Sequence, residues 1–67
     1  MKLVVNGNTV EFPNSLSTLE DIRSHYGFKP NTVIMEHNGS LYKDKDFKIV
    51  LISENDTLEI VHFMGGG

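Results

Sequence analysis

Leu3-Val4-Val5-Asn6-Gly7-Asn8-Thr9-Val10-Glu11-Phe12 sets the frame for the rest of the chain. Two β-prone runs flank an Asn-Gly step, and the glycine tolerates the positive φ that a tight hairpin turn demands. With a period of two, Leu3 and Val5 point one way, and Val10 and Phe12 share that face. Pro13 has no N–H to continue the ladder and ends the second strand.

Working outward, Ser17-Thr18-Leu19-Glu20 reads as a capping box. Ser17 accepts from the N–H of Glu20, and the Glu20 side chain reaches back. Leu19, Ile22 and Tyr26 follow at helical spacing as one apolar stripe. Gly27 suits the left-handed position just past a helix end, Phe28 supplies its hydrophobic seal, and Pro30 prevents a restart. The pattern predicts a helix over about residues 18–26. Val33 to His37 is a third strand, Asn38-Gly39 a turn, and Leu41-Tyr42 a short fourth strand. Lys43-Asp44-Lys45-Asp46 reads as a solvated loop or a single helical turn. Among Phe47, Ile49, Val50, Leu51 and Ile52, some must anchor to the core. Glu54-Asn55-Asp56 is a turn, and Thr57 to Met64 is the last strand.

The fold class predicted is α+β, with a mixed sheet of four to five strands and one main helix on one face. Residues 1–64 form the domain, and residues 65–67 are expected as a flexible tail. A chain of 67 residues holds one domain and cannot easily enclose a deep pocket beside its core, which counts against a self-sufficient enzyme. A net charge of -3 counts against nucleic acid as a partner. With no Cys there is neither a disulfide framework nor thiolate chemistry. No apolar run approaches the 18 residues of a membrane span. The N-terminal apolar stretch is too short for a signal peptide. A cytoplasmic protein is the simplest expectation.

Few side chains offer chemistry of their own. His25, His37 and His62 sit in different elements without metal-ligand spacing, so no metal site is expected. Ser15, Ser17, Ser40 and Ser53 lack a partner base, and the acidic residues form no convincing acid–base pair. The glycine-rich stretches lack the Lys and Ser/Thr of a phosphate loop. No catalytic residue and no bound cofactor is expected.

Gly65-Gly66-Gly67 is the sharpest feature. Glycine costs the most backbone entropy to order, and a folded core gains nothing from three in a row. Without Cβ atoms such a tail can thread a narrow channel, reaching roughly 10 Å when extended. By itself it supports no more than a mobile terminus. Alternation along the last strand puts Leu58 and Ile60 inward, with Glu59, Val61 and Phe63 outward. The same reading puts Val33 and Met35 inward and Ile34 and Glu36 outward. Ile34, Val61 and Phe63 would then make an exposed apolar patch for a partner beside the tail. Met64 is the hinge, its side chain belonging to either core or interface.

Val5-Asn6-Gly7, Glu36-His37-Asn38-Gly39, Glu54-Asn55-Asp56 and the end segment Leu58 to Gly67 together resemble the sulfur carriers of thiamine biosynthesis, the ThiS family. The resemblance spans the chain. It departs at Asn55, where many relatives have Gly, and near Tyr42-Lys43, where many have Pro-Arg. It implies a ubiquitin-like β-grasp fold with the first and last strands as parallel neighbours at the sheet centre. It also implies a protein co-substrate rather than an enzyme. A ThiF-type adenylating enzyme, using ATP and Mg²⁺, would convert the Gly67 carboxylate to an acyl-adenylate, with Gly65 and Gly66 threading its active site. A persulfide supplied by a cysteine desulfurase would then leave a thiocarboxylate, and a ThiG-type thiazole synthase would receive the sulfur. Three alternatives share the pattern. The product could be molybdopterin, cysteine or a thiolated tRNA; the chain could be a ubiquitin-like protein modifier; or it could be a plain β-grasp interaction module.

Overall fold

Asn6 and Gly7 take positive φ values of 50° and 84°, closing the hairpin between β1 (Lys2–Val5) and β2 (Asn8–Glu11). Positive φ at both central residues is the turn whose twist matches that of the flanking strands. The computed structural model describes residues 1–63; Met64, Gly65, Gly66 and Gly67, the expected hinge and tail, lie outside the described residues. In the hairpin Leu3 stands opposite Val10, and Leu3, Val5 and Phe12 are buried, as the alternation requires.

The helix α1 runs Leu19–Tyr26. Its capping box is one residue later than the sequence suggested. Thr18, not Ser17, is the N-cap: its hydroxyl accepts from the Asp21 N–H at 3.2 Å. The Asp21 carboxylate accepts in return from the N–H groups of Thr18 at 3.1 Å and Ser17 at 2.7 Å. Glu20 is thereby free to pair with Arg23 at 2.7 Å. At the other end Gly27 takes φ 78°, its N–H donates to Ser24 O, and the Phe28 N–H donates to Arg23 O. That pair of bonds satisfies carbonyls the helix would leave unpaired. Leu19 and Ile22 are fully buried. Tyr26, expected in the same stripe, is half out of the core. It lies edge-on to Phe12 at 5.9 Å and stacks on Phe28 at 5.4 Å.

β3 (Val33–His37), β4 (Ser40–Tyr42) and β5 (Thr57–His62) complete a five-stranded sheet in the order β2-β1-β5-β3-β4. β1 and β5 are parallel and the other pairs antiparallel. This is the β-grasp arrangement. β5 runs to His62 and Phe63 lies outside it, although the sequence reading carried the strand through Phe63 to Met64, which lies outside the described residues.

One face of the sheet packs on α1, where Leu3, Val5, Val33, Met35 and Leu58 meet Leu19 and Ile22. Residues 47–52 close the end of this core. Phe47 and Ile52 are buried, while Ile49 and Leu51 are 77% and 69% exposed. The segment's backbone also accepts from the first turn of α1: Leu19 N–H donates to Val50 O and Glu20 N–H to Phe47 O, both at 3.1 Å. Donors at a helix start otherwise need water or a cap. Lys43–Asp46 resolves as one 3₁₀ turn over Asp44–Asp46.

Candidate functional site

The point at which the described chain ends is built by β5 and its neighbours. β5 lies between β1 and β3, and its backbone is held beyond those ladders by two asparagine side chains. Asn6 Oδ1 accepts from the Ile60 N–H at 2.7 Å, and Asn6 Nδ2 donates to Ile60 O at 3.3 Å. Asn38 Oδ1 accepts from the Thr57 N–H at 2.8 Å, and the Asn38 N–H donates to Thr57 O at 2.9 Å. Both asparagines occupy the first position of an Asn-Gly turn. One side chain therefore serves the turn and the central strand at once.

His37 and Asp56 add a polar clasp below the start of β5. His37 Nε2 is 2.7 Å from Asp56 Oδ2, which also accepts from the Ser53 N–H at 2.8 Å. Burial pushes the Asp56 carboxyl up. Hydrogen bonds involving His37, Asn38 and Ser53, with the attraction of His37, outweigh it and hold the group below the ordinary aspartate range.

The face of the sheet away from α1 carries the predicted patch. Ile34 and Val61 stand directly opposite one another across β3 and β5. Val61 is 53% exposed, Phe63 is 40% exposed, and Ile34 is half-buried. The Phe63 N–H donates to Thr32 O at 3.0 Å, so the backbone is fixed one bond past β5 while the side chain stays accessible. On the helix side, the preceding His62 stacks on Phe28 at 5.4 Å. A backbone bond within the sheet and a ring contact on its helix side thus hold the strand end.

Phe63 and Ile34 also line a cleft of about 150 Å³ with Asn31, Val33, Lys43 and Asp44. Asp44 Oδ2 accepts from the Asn31 N–H at 2.9 Å; Oδ1 is buried and has no hydrogen-bond partner among the described residues. Strand alternation put Ile34, Val61 and Phe63 on the open face, where the structure has them. The sequence reading did not single out Asn31, it took Lys43 and Asp44 as part of a solvated loop or single helical turn, and it gave Asn6 and Asn38 only a turn role. The remaining predicted site residues, Met64, Gly65, Gly66 and Gly67, lie outside the described residues.

The arrangement sets the exposed apolar side chains of Val61 and Phe63 beside a strand end held by hydrogen bonds from Asn6 and Thr32. The ThiS family model matches residues 3–67. The chain belongs to the ThiS family. The sulfur carrier protein ThiS of Bacillus subtilis (strain 168) is 32% identical over 97% of this chain and 98% of its own length. The crystal structure of the thiamine biosynthesis protein ThiS from Geobacter metallireducens superposes with a TM-score of 0.79 at 28% identity, covering 100% of both chains. A thiazole synthase of Paramagnetospirillum magneticum (strain ATCC 700264 / AMB-1) is 36% identical over 100% of this chain, which spans 20% of that protein. Fold and family together place the chain among the sulfur-carrier-type β-grasp proteins of thiamine biosynthesis.

Proposed function

We propose that this ThiS-family chain carries sulfur on the carboxylate of Gly67 for thiazole formation. A carboxylate oxygen is a poor leaving group, so activation must come first. A ThiF-type partner, using its own ATP and Mg²⁺, joins the carboxylate to AMP and releases pyrophosphate. A persulfide, its sulfur drawn from cysteine by a desulfurase, attacks the acyl carbon and expels AMP. A second thiol then cleaves the resulting S–S bond, forming a disulfide on its own side and leaving the thiocarboxylate on Gly67. Thiazole synthase takes up that sulfur. Transition-state stabilisation belongs to the partners. This chain contributes a substrate group and a surface by which to hold it.

One observation carries the reading: a ThiS-family β-grasp domain ends its central strand with an in-register apolar pair, Ile34 and Val61, next to Phe63. The strand end is fixed by Asn6, Thr32 and Phe28, so a partner gripping the patch also sets where residues 64–67 begin. The similarity of the whole chain to part of a thiazole synthase favours the thiazole branch over molybdopterin, cysteine or tRNA thiolation.

The test is an intact mass after incubation with ATP, Mg²⁺, a ThiF-type enzyme, cysteine and a desulfurase. Exchange of oxygen for sulfur adds about 16 Da, as expected when the activated carboxylate accepts a sulfur nucleophile. No gain, with an activating enzyme that thiolates another carrier, overturns the proposal. Deleting Gly67 should abolish the gain and leave the melting curve of the domain unchanged.

A further inference from the structure

Two Asn-Gly steps close the hairpins, Asn6-Gly7 and Asn38-Gly39, and the covalent chemistry of that dipeptide has no part in the sulfur-carrier reading. An asparagine side chain is an amide, and attack on its Cγ by the backbone nitrogen of the next residue closes a five-membered ring. Glycine leaves that nitrogen unshielded, because it has no Cβ. Gly7 and Gly39 both have open space where a Cβ would stand, and neither N–H makes a hydrogen bond among the described residues. The two steps differ in what holds the asparagine. Asn6 is bound to Ile60 through both side-chain atoms, and its Nδ2 faces a carbonyl oxygen, which has no proton to give. The Asn38 side chain is bound to β5 through Oδ1 alone, which accepts from the Thr57 N–H at 2.8 Å. Its Nδ2 lies 3.5 Å from His37 Nε2. Asp56 Oδ2, 2.7 Å from that same ring nitrogen, keeps the imidazole proton on Nε2.

We infer that Asn38 is a site of self-modification, at which the Gly39 nitrogen attacks the Asn38 side chain and the turn between β3 and β4 deamidates. The Gly39 N–H gives its proton to water or hydroxide, and the nitrogen forms a bond to Cγ. The carbonyl electrons move onto Oδ1, where the Thr57 N–H already donates and stabilises the developing oxyanion. The intermediate collapses by breaking the Cγ–Nδ2 bond. Nδ2 takes the Nε2 proton of His37 and leaves as ammonia, and solvent returns a proton to the ring. Water then opens the cyclic imide at either carbonyl, giving aspartate or isoaspartate at position 38. Ring closure needs the turn to relax. Asn38 gives up one side-chain bond to do so, and β4 behind it is a three-residue strand at the sheet edge. Short elements with few contacts open most readily. Asn6 must release the Ile60 N–H and carbonyl together. The aspartate product keeps an acceptor for the Thr57 N–H. The isoaspartate product draws the side-chain carbonyl into the main chain and lengthens the turn, so the start of β5 is held less firmly.

The test incubates the full chain at neutral pH, folded and in parallel in urea, and maps each site by proteolysis and mass spectrometry that tells aspartate from isoaspartate. Each event adds about 1 Da, as NH₂ is exchanged for OH at the attacked carbonyl. In the folded chain Asn38 should react at least about tenfold faster than Asn6, a modest share of what a positioned proton donor supplies in an active site. In urea the two steps, each an asparagine followed by glycine, should react within about twofold of one another. Equal rates in the folded chain, a faster Asn6, or no reaction at either site overturns the inference. So does a preference for Asn38 that persists unchanged in urea, because it would come from the neighbouring sequence and not from the fold. His37→Gln removes the proton donor, and the Asn38 rate should fall at least about fivefold while the Asn6 rate stays as it is. A rise at Asn38 in that variant would show that His37 only restrains the turn, and overturns its role as proton donor. The comparison of folded chain with urea needs no variant, so it decides even where His37→Gln unfolds.

Discussion

The amide side chain of Asn6 holds the backbone of Ile60 from both of its polar sides, accepting from its N–H at 2.7 Å and donating to its carbonyl at 3.3 Å. A turn residue thereby extends the pairing of β1 and β5 past the last backbone-paired residues, Val5 and Leu58. Asn6→Gly separates this role from the turn itself, because glycine adopts the same positive φ without strain. Losing two hydrogen bonds should cost about 1–2 kcal/mol. For a domain of this size that is a fall of roughly 5–10 °C in melting temperature. Hydrogen exchange at the Ile60 amide should accelerate more than at Leu3 or Met35. Unchanged protection at Ile60 would show that the clamp does not hold β5.

The His37–Asp56 clasp and the helix cap contribute to the behaviour in acid. Asp56 is held below its ordinary range by the bonds described above, and Asp21 by the backbone N–H groups of Ser17 and Thr18. A carboxyl with a lowered folded pKa stabilises the fold fully above its unfolded pKa, about 3.9 for aspartate. That contribution is lost as pH falls through the folded pKa. The urea midpoint should therefore be insensitive to these two groups between pH 5 and 7 and drop below about pH 4. Asp56→Asn should lower the midpoint at neutral pH and flatten the acid drop. Parallel profiles for variant and wild type would remove Asp56 from the acid response.

Asn55 occupies a left-handed position with φ 68°, and its N–H donates to Lys2 O at 2.7 Å. Its side chain makes no hydrogen bond among the described residues, so glycine would keep the useful backbone bond and relieve the Cβ strain. Asn55→Gly should stabilise by about 0.5–1 kcal/mol. The same change at Asn38, whose side chain accepts from the Thr57 N–H, should destabilise instead. Opposite signs in paired denaturation curves are the expected outcome. A gain at both positions would mean that the Asn38 side-chain bond contributes nothing.

The elements with a clean period were legible in the sequence. Alternation in β1, β3 and β5 gave the inward set and the outward Ile34, Val61 and Phe63, because one face of each strand is covered and the other is not. The central parallel pairing of β1 and β5 came only from the family resemblance, since no local pattern encodes which strands meet. The helix start shows the limit of local reading. Ser17 with Glu20 and Thr18 with Asp21 satisfy the same spacing. The contacts that decide between them are distant: Val50 and Phe47 accept from Leu19 and Glu20, Leu51 bridges to Thr18, and Arg23 takes the Glu20 carboxylate. Residues 47–52 have no period at all, so nothing local tells buried Phe47 and Ile52 from exposed Ile49 and Leu51. The cleft beside Phe63 escaped notice for a similar reason. Lys43 and Asp44 carry charge, and charge in a short loop reads as solvent exposure until the fold brings Asn31 and Phe63 beside it.

Phe63 offers the cleanest separation of grip from fold. Its side chain is accessible, while its backbone N–H is held by Thr32 O regardless of the residue type. Phe63→Ala should therefore change the domain's stability by no more than about 0.5 kcal/mol. An aromatic anchor buried at an interface is worth about 2 kcal/mol or more, so kcat/KM for sulfur loading should fall at least tenfold. Because the chemistry on Gly67 is unaltered, the loss should sit mainly in KM, with kcat at saturating carrier close to wild type. Phe63→Leu should recover part of the loss by refilling the apolar contact. A large fall in kcat with KM unchanged would place Phe63 in setting the approach of residues 64–67 rather than in docking, and would remove it from the patch.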